Sequence, residues 1–175
     1  MMRPFPRYRR CPVCGDPEIN PASLAVRWVW DADAAEVVGR FTPSDDHAGY
    51  AGRVHGGLLS ALLDECLAWA AAVSRRSYCM TGDLSVRFKR SARTGEQVTV
   101  RGRVTEARGP YARTVGEVRS AEGDLLASAV ATFAALPRSE SEAMRAALEV
   151  APEDVDVLDG DETFTAELPP GRRSR

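Results

Sequence analysis

The residues whose types and spacing could do chemistry lie in one stretch, where a His-Gly-Gly sequence is followed by an acid. His55, Gly56 and Gly57 come first, and Asp64 lies nine residues after the histidine. Free N–H groups at a helix N-terminus, which glycines leave open to approach, can bind an oxygen that gains negative charge. A carboxylate at Asp64 could act as a nucleophile or a general base. Together these groups are suited to attack on a carbonyl carbon.

A helix must position these groups, and residues 53–73 have the spacing of one. At about 100° per residue, one half of the helix is apolar and the other half is small, with one acidic pair in it. The apolar half comprises Leu58, Leu59, Leu62, Leu63, Cys66, Leu67, Trp69, Ala70 and Val73. The small half comprises Ser60, Ala61, Asp64, Glu65, Ala68, Ala71 and Ala72. Such a helix is buried, so we expect another body, such as a second subunit, to pack against the small half.

The length of the helix limits how these groups can cooperate. Eight residues at a rise of 1.5 Å place Gly56 and Asp64 roughly 12 Å apart, too far to act on one carbonyl carbon. If two copies of the helix run antiparallel across a two-fold axis, Asp64 of one copy lies near Gly56 of the other. We therefore expect an isologous dimer with two composite sites.

The His-Gly-Gly motif, with its acid inside an Ala/Leu-rich helix, resembles the hotdog-fold acyl-CoA thioesterases. Within them it is most similar to the phenylacetate-pathway (4-hydroxybenzoyl-CoA-like) branch, over residues 17–136. The resemblance implies an α+β hotdog fold, in which a curved antiparallel sheet wraps around one long central helix. It also implies homodimers or tetramers of dimers, and hydrolysis of an acyl-CoA thioester with no metal and with no cofactor beyond the CoA of the substrate.

The resemblance also implies roles for particular residues. Asp64 takes the position of nucleophile or general base, and the Gly56 N–H, with Gly57 beside it, takes the oxyanion position. His55 falls on the motif histidine, and Thr81 falls where a serine or threonine often assists the acid. One position departs from the family pattern: many members carry asparagine six residues before the motif histidine, and this chain has glycine there, at position 49. That departure puts the rate and mechanism in doubt more than the fold.

Each of these residues also has a plainer interpretation. Asp64 could pair with an arginine at a dimer contact, although an acid on a small, nearly apolar face is typical of functional carboxyl groups. For Glu65, on the edge of the apolar half, we expect a structural salt bridge. His55 could simply fix the turn before the helix, and Asp83 could compete with Thr81 for contact with Asp64.

CoA carries phosphates, so basic residues should line the mouth of the site. The nearest candidates are Arg87, Lys89, Arg90 and Arg93, with Arg53 beside the start of the helix. A run of charged residues is also typical of the solvent-exposed face of an ordinary strand. The alternative interpretation is that these residues contact only water.

A Cys-x-x-Cys turn, Cys11 to Cys14, lies near the N-terminus. It is half of a zinc knuckle, which normally needs a second pair of cysteine or histidine ligands. Three interpretations remain open: a structural turn with two thiols, a zinc site completed by another chain or by His47, and a redox pair. Asp45 and Asp46, close to His47 and His55, could suggest metal ligands, but loop solvation explains these acids better.

Composition narrows the function class. The chain has 175 residues, with 44% hydrophobic and 27% charged content, which suits one globular domain. A net charge of −2 gives no case for a nucleic-acid partner. No apolar run approaches membrane length and no apolar segment follows the basic N-terminus, so we expect no membrane association and no signal peptide. Four cysteines without an export signal indicate the cytoplasm.

Alternation and turn signals predict the remaining elements. Residues 23–31 and 35–41 form a hairpin, residues 42–54 a loop, and residues 81–90, 97–105, 111–120 and 125–136 four antiparallel strands. A short helix at 139–149, capped by Ser139, lies on the outside. We therefore expect an arm over 1–20 (basic and loose over 1–10), a hotdog domain over 21–137, and a short helix with an unfolded tail over 138–175.

Two other functions stay open at this point. A non-catalytic acyl-CoA-binding hotdog protein is the stronger rival, because glycine stands where many members have asparagine. An enoyl-CoA hydratase would need an aspartate–histidine dyad a few residues apart, and the nine-residue gap between His55 and Asp64 argues against it. The sequence does not select the acyl group.

Overall fold

The protein is represented by a computed structural model, which describes residues 1–159. The strands are β1 (Met2–Pro4), β2 (Val29–Asp31), β3 (Glu36–Phe41), β4 (Ala48–Tyr50), β5 (Arg53–Val54), β6 (Cys79–Phe88), β7 (Val98–Arg108), β8 (Tyr111–Ser120) and β9 (Leu125–Ala135). The helices are α1 (Gly56–Arg75), α2 (Arg138–Ala146) and a 3-10 turn at Asp45–His47.

Seven of the strands form one antiparallel sheet in the order β1-β2-β3-β7-β8-β9-β6. The sheet curves around α1, which contacts β3, β6, β7, β8 and β9. This is the predicted α+β hotdog arrangement, with one long helix at its centre. The last four strands begin and end within three residues of the predicted ranges.

Two glycines explain how closely the helix approaches the sheet. Gly102 on β7 is directly opposite Gly116 on β8. A Cβ at Gly102 would lie 2.7 Å from Leu67 Cδ2 and 2.9 Å from Cys66 Sγ, and one at Gly116 would lie 2.9 Å from the same leucine carbon. The absence of side chains at the middle of the sheet therefore leaves room for Cys66 and Leu67, both fully buried.

The central helix begins three residues later and ends two residues later than predicted. His55 is its N-cap, and Arg76 at its C-terminal end has a left-handed conformation with φ of 50°. By length and composition alone, α1 is long and apolar enough to cross a membrane. More than half of that apolar stretch is buried inside the fold, which is typical of the core helix of a hotdog sheet.

The N-terminal residues correct one prediction, since they do not form a loose arm. Strand β1 pairs with β2, and Phe5 is 2% exposed. The Phe5 ring stacks on Trp69 of α1 with centroids 4.6 Å apart. Basic composition suggested a solvated segment, but one phenylalanine buried on the helix anchors the arm. This chain's own N-terminus therefore covers part of the apolar half of α1, at Trp69.

The first predicted strand is mostly irregular. Leu24, Val26, Trp28 and Trp30 are buried on one side, as their alternation predicts. Only the end of this range pairs as a strand, since Ala25 has φ of 53°, a left-handed conformation that interrupts extended backbone. The predicted loop at 42–54 contains the 3-10 turn and the short β4–β5 pair.

The C-terminal part of the described chain also departs from expectation. The N-cap of α2 is Pro137 rather than Ser139. Val155, Val157 and Leu158 are buried, so residues 151–159 pack onto the domain instead of forming an unfolded tail. Arg145 of α2 forms an ion pair with Asp156 in this segment. The rest of the predicted tail, 160–175, lies outside the described residues.

Candidate active site

The start of α1 forms the mouth of the site. His55 accepts a hydrogen bond at Nδ1 from the Gly57 N–H, at 2.9 Å, and so caps the helix. An accepting Nδ1 carries no proton, so a neutral His55 has its proton on Nε2. The backbone N–H of His55 in turn donates to the carbonyl of His47. In this geometry both contacts of His55 hold the turn that begins the helix.

Of the two glycine N–H groups at the mouth, one is free to bind an oxyanion. The Gly57 N–H is engaged by His55, whereas the Gly56 N–H has no acceptor among residues 1–159. Gly56 faces the ring of Phe88 at the end of β6: a Cβ on residue 56 would lie 3.3 Å from the Phe88 Cζ atom. Phe88, which the sequence did not single out, therefore lines the mouth.

The acid lies two turns further along the helix, against the same strand. The Thr81 hydroxyl donates a hydrogen bond of 2.9 Å to the Asp64 carboxylate. Asp64 is half-buried and Thr81 is exposed. A bulge separates Thr81 from Asp83 in the pairing with β9, and no hydrogen bond joins Asp83 to Asp64 in the described chain. The structure therefore brings Thr81 to the acid, and not its competitor.

His55 and Asp64 do not meet. They lie nine residues apart on one helix, roughly 13 Å along its axis. The ring nitrogen of His55 that is engaged contacts Gly57. The dyad that a hotdog hydratase would need is therefore not formed within the described residues.

Gly49, at the position where the resemblance led us to look for an asparagine, lies against the motif histidine. A Cβ on Gly49 would be 3.0 Å from Cδ2 and 3.2 Å from Cα of His55. A side chain there would require His55 to shift by a few tenths of an ångström. At this position the chain therefore presents backbone, without a side chain, next to His55.

The predicted CoA-binding residues are at the surface beside the mouth, and they divide into two groups. Arg90 pairs with Asp124 at 2.8 Å, Arg93 lies 3.8 Å from Glu96, and Arg53 donates to the Ser91 hydroxyl. Arg87 and Lys89, in contrast, are exposed and have no ion pair within the described chain. Of the five predicted residues, these two are the ones whose side chains have neither an ion pair nor a side-chain hydrogen bond within residues 1–159.

The predicted salt bridge of Glu65 is wrong. Its carboxylate instead contacts the Cys11 thiol, with Sγ 3.3 Å from Oε2, and no arginine or lysine of the described residues pairs with it. Burial raises the pKa of Glu65 to about 8, and the charge of the Cys11 thiolate adds to the shift. A hydrogen bond from Cys14 lowers the pKa of Cys11, and the same contact, with burial, raises the pKa of Cys14.

Sequence spacing could not have found this cluster. The Cys-x-x-Cys turn was recognisable, but its third partner lies 54 positions away, on the helix. The expected alternative, His47, is not part of this cluster, and its Nδ1 accepts from the Ser44 N–H at 2.9 Å. The loop acids Asp45 and Asp46 form no metal-like cluster with the histidines, and the described chain has one such group, Cys11 with Cys14 and Glu65.

Comparison with known proteins agrees with this architecture. Residues 51–127 match the thioesterase superfamily. A solved thioesterase superfamily protein is 32% identical over 72% of this chain and 60% of its own, with a TM-score of 0.63. An acyl-CoA hydrolase from Staphylococcus aureus, in complex with butyryl coenzyme A, coenzyme A and coenzyme A disulfide, is 23% identical over 62% and 67%, with a TM-score of 0.57.

A third similar structure is the PaaI protein of the E. coli phenylacetic acid degradation operon, 17% identical over 59% of this chain and 74% of its own, with a TM-score of 0.56. At these identities the hydrolase and PaaI show the fold alone. No curated protein matches. This chain spans 60% of the length of the first of these solved structures.

Proposed function

Since this chain is a hotdog-fold relative of the thioesterase superfamily, we propose that it hydrolyses an acyl-CoA thioester to a free acid and CoA. The phenylacetate-pathway branch is a further part of this proposal. The observation that carries the proposal is the hydrogen bond between Asp64 and Thr81, which presents a carboxylate at the edge of the sheet. The reaction site is shared between two copies of the chain.

The edge strand β6 supports the proposal that two copies of the chain associate. β6 pairs with β9 on one side only, and most of its residues are exposed along its length. An unpaired edge of ten residues is a ready template for another strand. It also carries Met80 and Phe88, both 54% exposed, which is unusual for a strand that stays in water.

The direction of β6 determines which residues of the two copies come together when two β6 strands pair. Thr81, near its beginning, contacts Asp64, and Phe88, at its end, lies against Gly56. If two β6 strands pair antiparallel about a point between Leu84 and Ser85, Thr81 of one copy is opposite Phe88 of the other. The carboxylate of one chain then approaches the helix mouth of its partner, which solves the separation of roughly 12 Å within one helix.

The chemistry follows from this juxtaposition. The thioester oxygen binds at the Gly56 N–H, where the helix dipole favours negative charge. Asp64 of the partner attacks the carbonyl carbon or takes a proton from a water that attacks it, with Thr81 holding the carboxylate in place. The C–S bond breaks and the CoA sulfur leaves as a thiol after taking up a proton. If Asp64 itself attacks, water then hydrolyses the acyl–Asp64 anhydride, which releases the free acid and restores the carboxylate. Arg87 and Lys89 supply charge for the CoA phosphates.

The test is release of free thiol from a panel of aryl and aliphatic acyl-CoA thioesters, with sedimentation to measure the mass of the assembly. We expect hydrolysis of at least one thioester by the wild type, a dimer or a multiple of it, and no hydrolysis by a folded Asp64→Asn variant. Hydrolysis by a monomer, or wild-type turnover in the variant, would contradict the proposal.

A non-catalytic acyl-CoA-binding protein is the second candidate, and one observation favours it. Gly49 has no side-chain amide to present next to His55. A side-chain donor for the thioester or for the attacking water is therefore missing at this position. Tight binding of an acyl-CoA analogue by the wild type, with no thiol released from any member of the panel, would establish this alternative.

A further inference from the structure

We propose that Cys11, Cys14 and Glu65 form a zinc site that attaches the N-terminal turn to the central helix. The ligand atoms of these three residues all lie within 4.8 Å of one another. The site is separate from the hydrolytic proposal, which uses the other acid of the pair on α1. No step of that reaction requires it.

The turn is built to present two sulfurs. The Sγ atom of Cys11 accepts the backbone N–H groups of Val13 at 3.3 Å and Cys14 at 3.4 Å. The Gly15 N–H donates to the Cys11 carbonyl at 3.0 Å, and a Cβ at position 15 would lie 2.3 Å from that oxygen. Backbone donors aimed at one sulfur, with a glycine that permits the tight turn, are features of a metal knuckle rather than of a loose loop.

The turn is also held in place by its neighbours. The carbonyl of Pro12 accepts from the Leu24 N–H, and that of Val13 accepts from the Val26 N–H, both at 2.9 Å. Leu24 and Val26 belong to the buried core. The two thiols are therefore pre-positioned, and a metal would not need to order the segment that binds it.

The third donor comes from the helix at a distance that fits one shared ion. With Zn–S near 2.3 Å and Zn–O near 2.0 Å, two ligands at a tetrahedral angle are about 3.5 Å apart. The Cys11 Sγ and the Glu65 Oε2 are 3.3 Å apart. Two sulfurs and one carboxylate favour zinc over magnesium or calcium, which prefer oxygen ligands only.

The acidic groups of the cluster give an independent reason to expect a bound metal ion. Cys14 is buried, Glu65 is half-buried, and no basic side chain of the described chain pairs with that carboxylate. Acidic groups removed from water are normally paired with a cation or bound to a metal. A divalent ion would supply the positive charge that this carboxylate and the thiolates need when they are deprotonated.

The geometry leaves one coordination position open. Three protein ligands on a tetrahedral ion leave the fourth place for water. The cluster lies on the wall of a cavity of about 440 Å³, which Tyr8, Trp69, Tyr78 and Cys79 also line. Water, or a small anionic ligand that enters this cavity, would complete the coordination.

The experiment uses the full chain, stripped of metal with a chelator under reducing conditions and titrated with Co²⁺ and then Zn²⁺. We expect one Co²⁺ per chain, with a thiolate-to-cobalt charge-transfer band that Zn²⁺ abolishes and a higher Tm with Zn²⁺. Cys11→Ser, Cys14→Ser and Glu65→Gln should each weaken zinc affinity by more than the 10- to 100-fold typical of a lost outer-shell partner.

Cys79→Ser is the matched control, because this thiol lines the same cavity but lies outside the cluster. It should leave metal affinity unchanged. The proposal is overturned if the stripped wild type takes up no metal, if uptake is indifferent to the three ligand variants, or if Cys79→Ser weakens it equally. Quantitative formation of a Cys11–Cys14 disulfide without metal uptake would overturn it in favour of a redox pair. Wild-type uptake alone decides the matter should a variant fail to fold.

Discussion

The Asp64 carboxylate accepts a hydrogen bond of 2.9 Å from the Thr81 hydroxyl, and this contact joins the central helix to the free edge of the sheet. Most of the helix directs its side chains into the core, but at this position it presents an acid beside an unpaired strand. The contact fixes one rotamer of Asp64 and points the acid toward the surface on which a second copy would pair. It is the link between the fold and the proposed chemistry.

Removal of the hydroxyl should therefore affect turnover more than binding. We expect Thr81→Val to lower kcat for acyl-CoA hydrolysis about tenfold, the equivalent of about 1.4 kcal/mol, because the carboxylate loses its orientation. The KM should change little, and Thr81→Ser should restore most of the loss. Steady-state thiol release measures both constants. An unchanged kcat in Thr81→Val would show that the contact is only structural.

The two unpaired basic residues should contribute to recognition of CoA. We expect Arg87→Ala and Lys89→Ala each to raise the KM for acyl-CoA about two- to fivefold, since exposed ion pairs are worth up to about 1 kcal/mol. The effect should shrink as salt is added. Arg90→Ala is the matched control, because its guanidinium is already paired with Asp124. If Arg90→Ala raises the KM as much as the other two variants, the assignment is wrong.

The N-terminal segment should contribute to stability. Phe5 is buried and stacked on Trp69. We expect Phe5→Ala to lower the free energy of unfolding by about 3–5 kcal/mol, the usual cost of emptying an aromatic site in a core. Phe5→Leu should lose less, since it refills part of the volume. Denaturant unfolding measures both, and a loss below about 0.5 kcal/mol would instead indicate a surface residue.

The pair of glycines at the middle of the sheet should tolerate no side chain. Gly102→Ala places a methyl group 2.7 Å from Leu67 Cδ2. Overpacking of this kind costs about 1–3 kcal/mol of stability. Leu67→Ala introduced with Gly102→Ala should recover part of the loss, which appears as a coupling energy in a double-mutant cycle. Additive losses would mean that the two groups are not in contact.

Local patterns in the sequence were enough to predict much of this architecture. The alternation of β7, β8 and β9 and the half-apolar wheel of α1 are short-range signals, and each predicts which side of an element is buried. Alternation does not report backbone conformation, however. Residues 23–28 bury every second side chain as a strand would, but the left-handed Ala25 interrupts the extended backbone, and Leu24 and Val26 hydrogen-bond to the Cys-x-x-Cys turn.

Contacts between distant segments could not be predicted in this way. Phe5 meets Trp69, and Cys11 meets Glu65, across more than fifty residues of sequence. Nothing in the spacing of either segment encodes its partner. Residues 154–158 likewise bury Val155, Val157 and Leu158 against a distant part of the domain, and the acidic residues between them gave no sign of this docking.

The shared site is the central claim, and complementation between two inactive variants tests it most directly. Asp64→Asn removes the acid, whereas Gly56→Leu fills the mouth, where even a Cβ lies 3.3 Å from Phe88. Each variant alone should be folded and inactive. In a 1:1 mixture after subunit exchange, half of the dimers contain both variants, and each of these has one site with an intact acid and an intact mouth.

The mixture should therefore recover about a quarter of wild-type thiol release, since one of two sites works in half of the dimers. Sedimentation of differently tagged subunits confirms that exchange has taken place. Recovery of about a quarter of the activity is the result that this account predicts. Activity no greater than that of the separate variants, in a mixture that has fully exchanged, would show that each chain builds its site alone and would contradict the account.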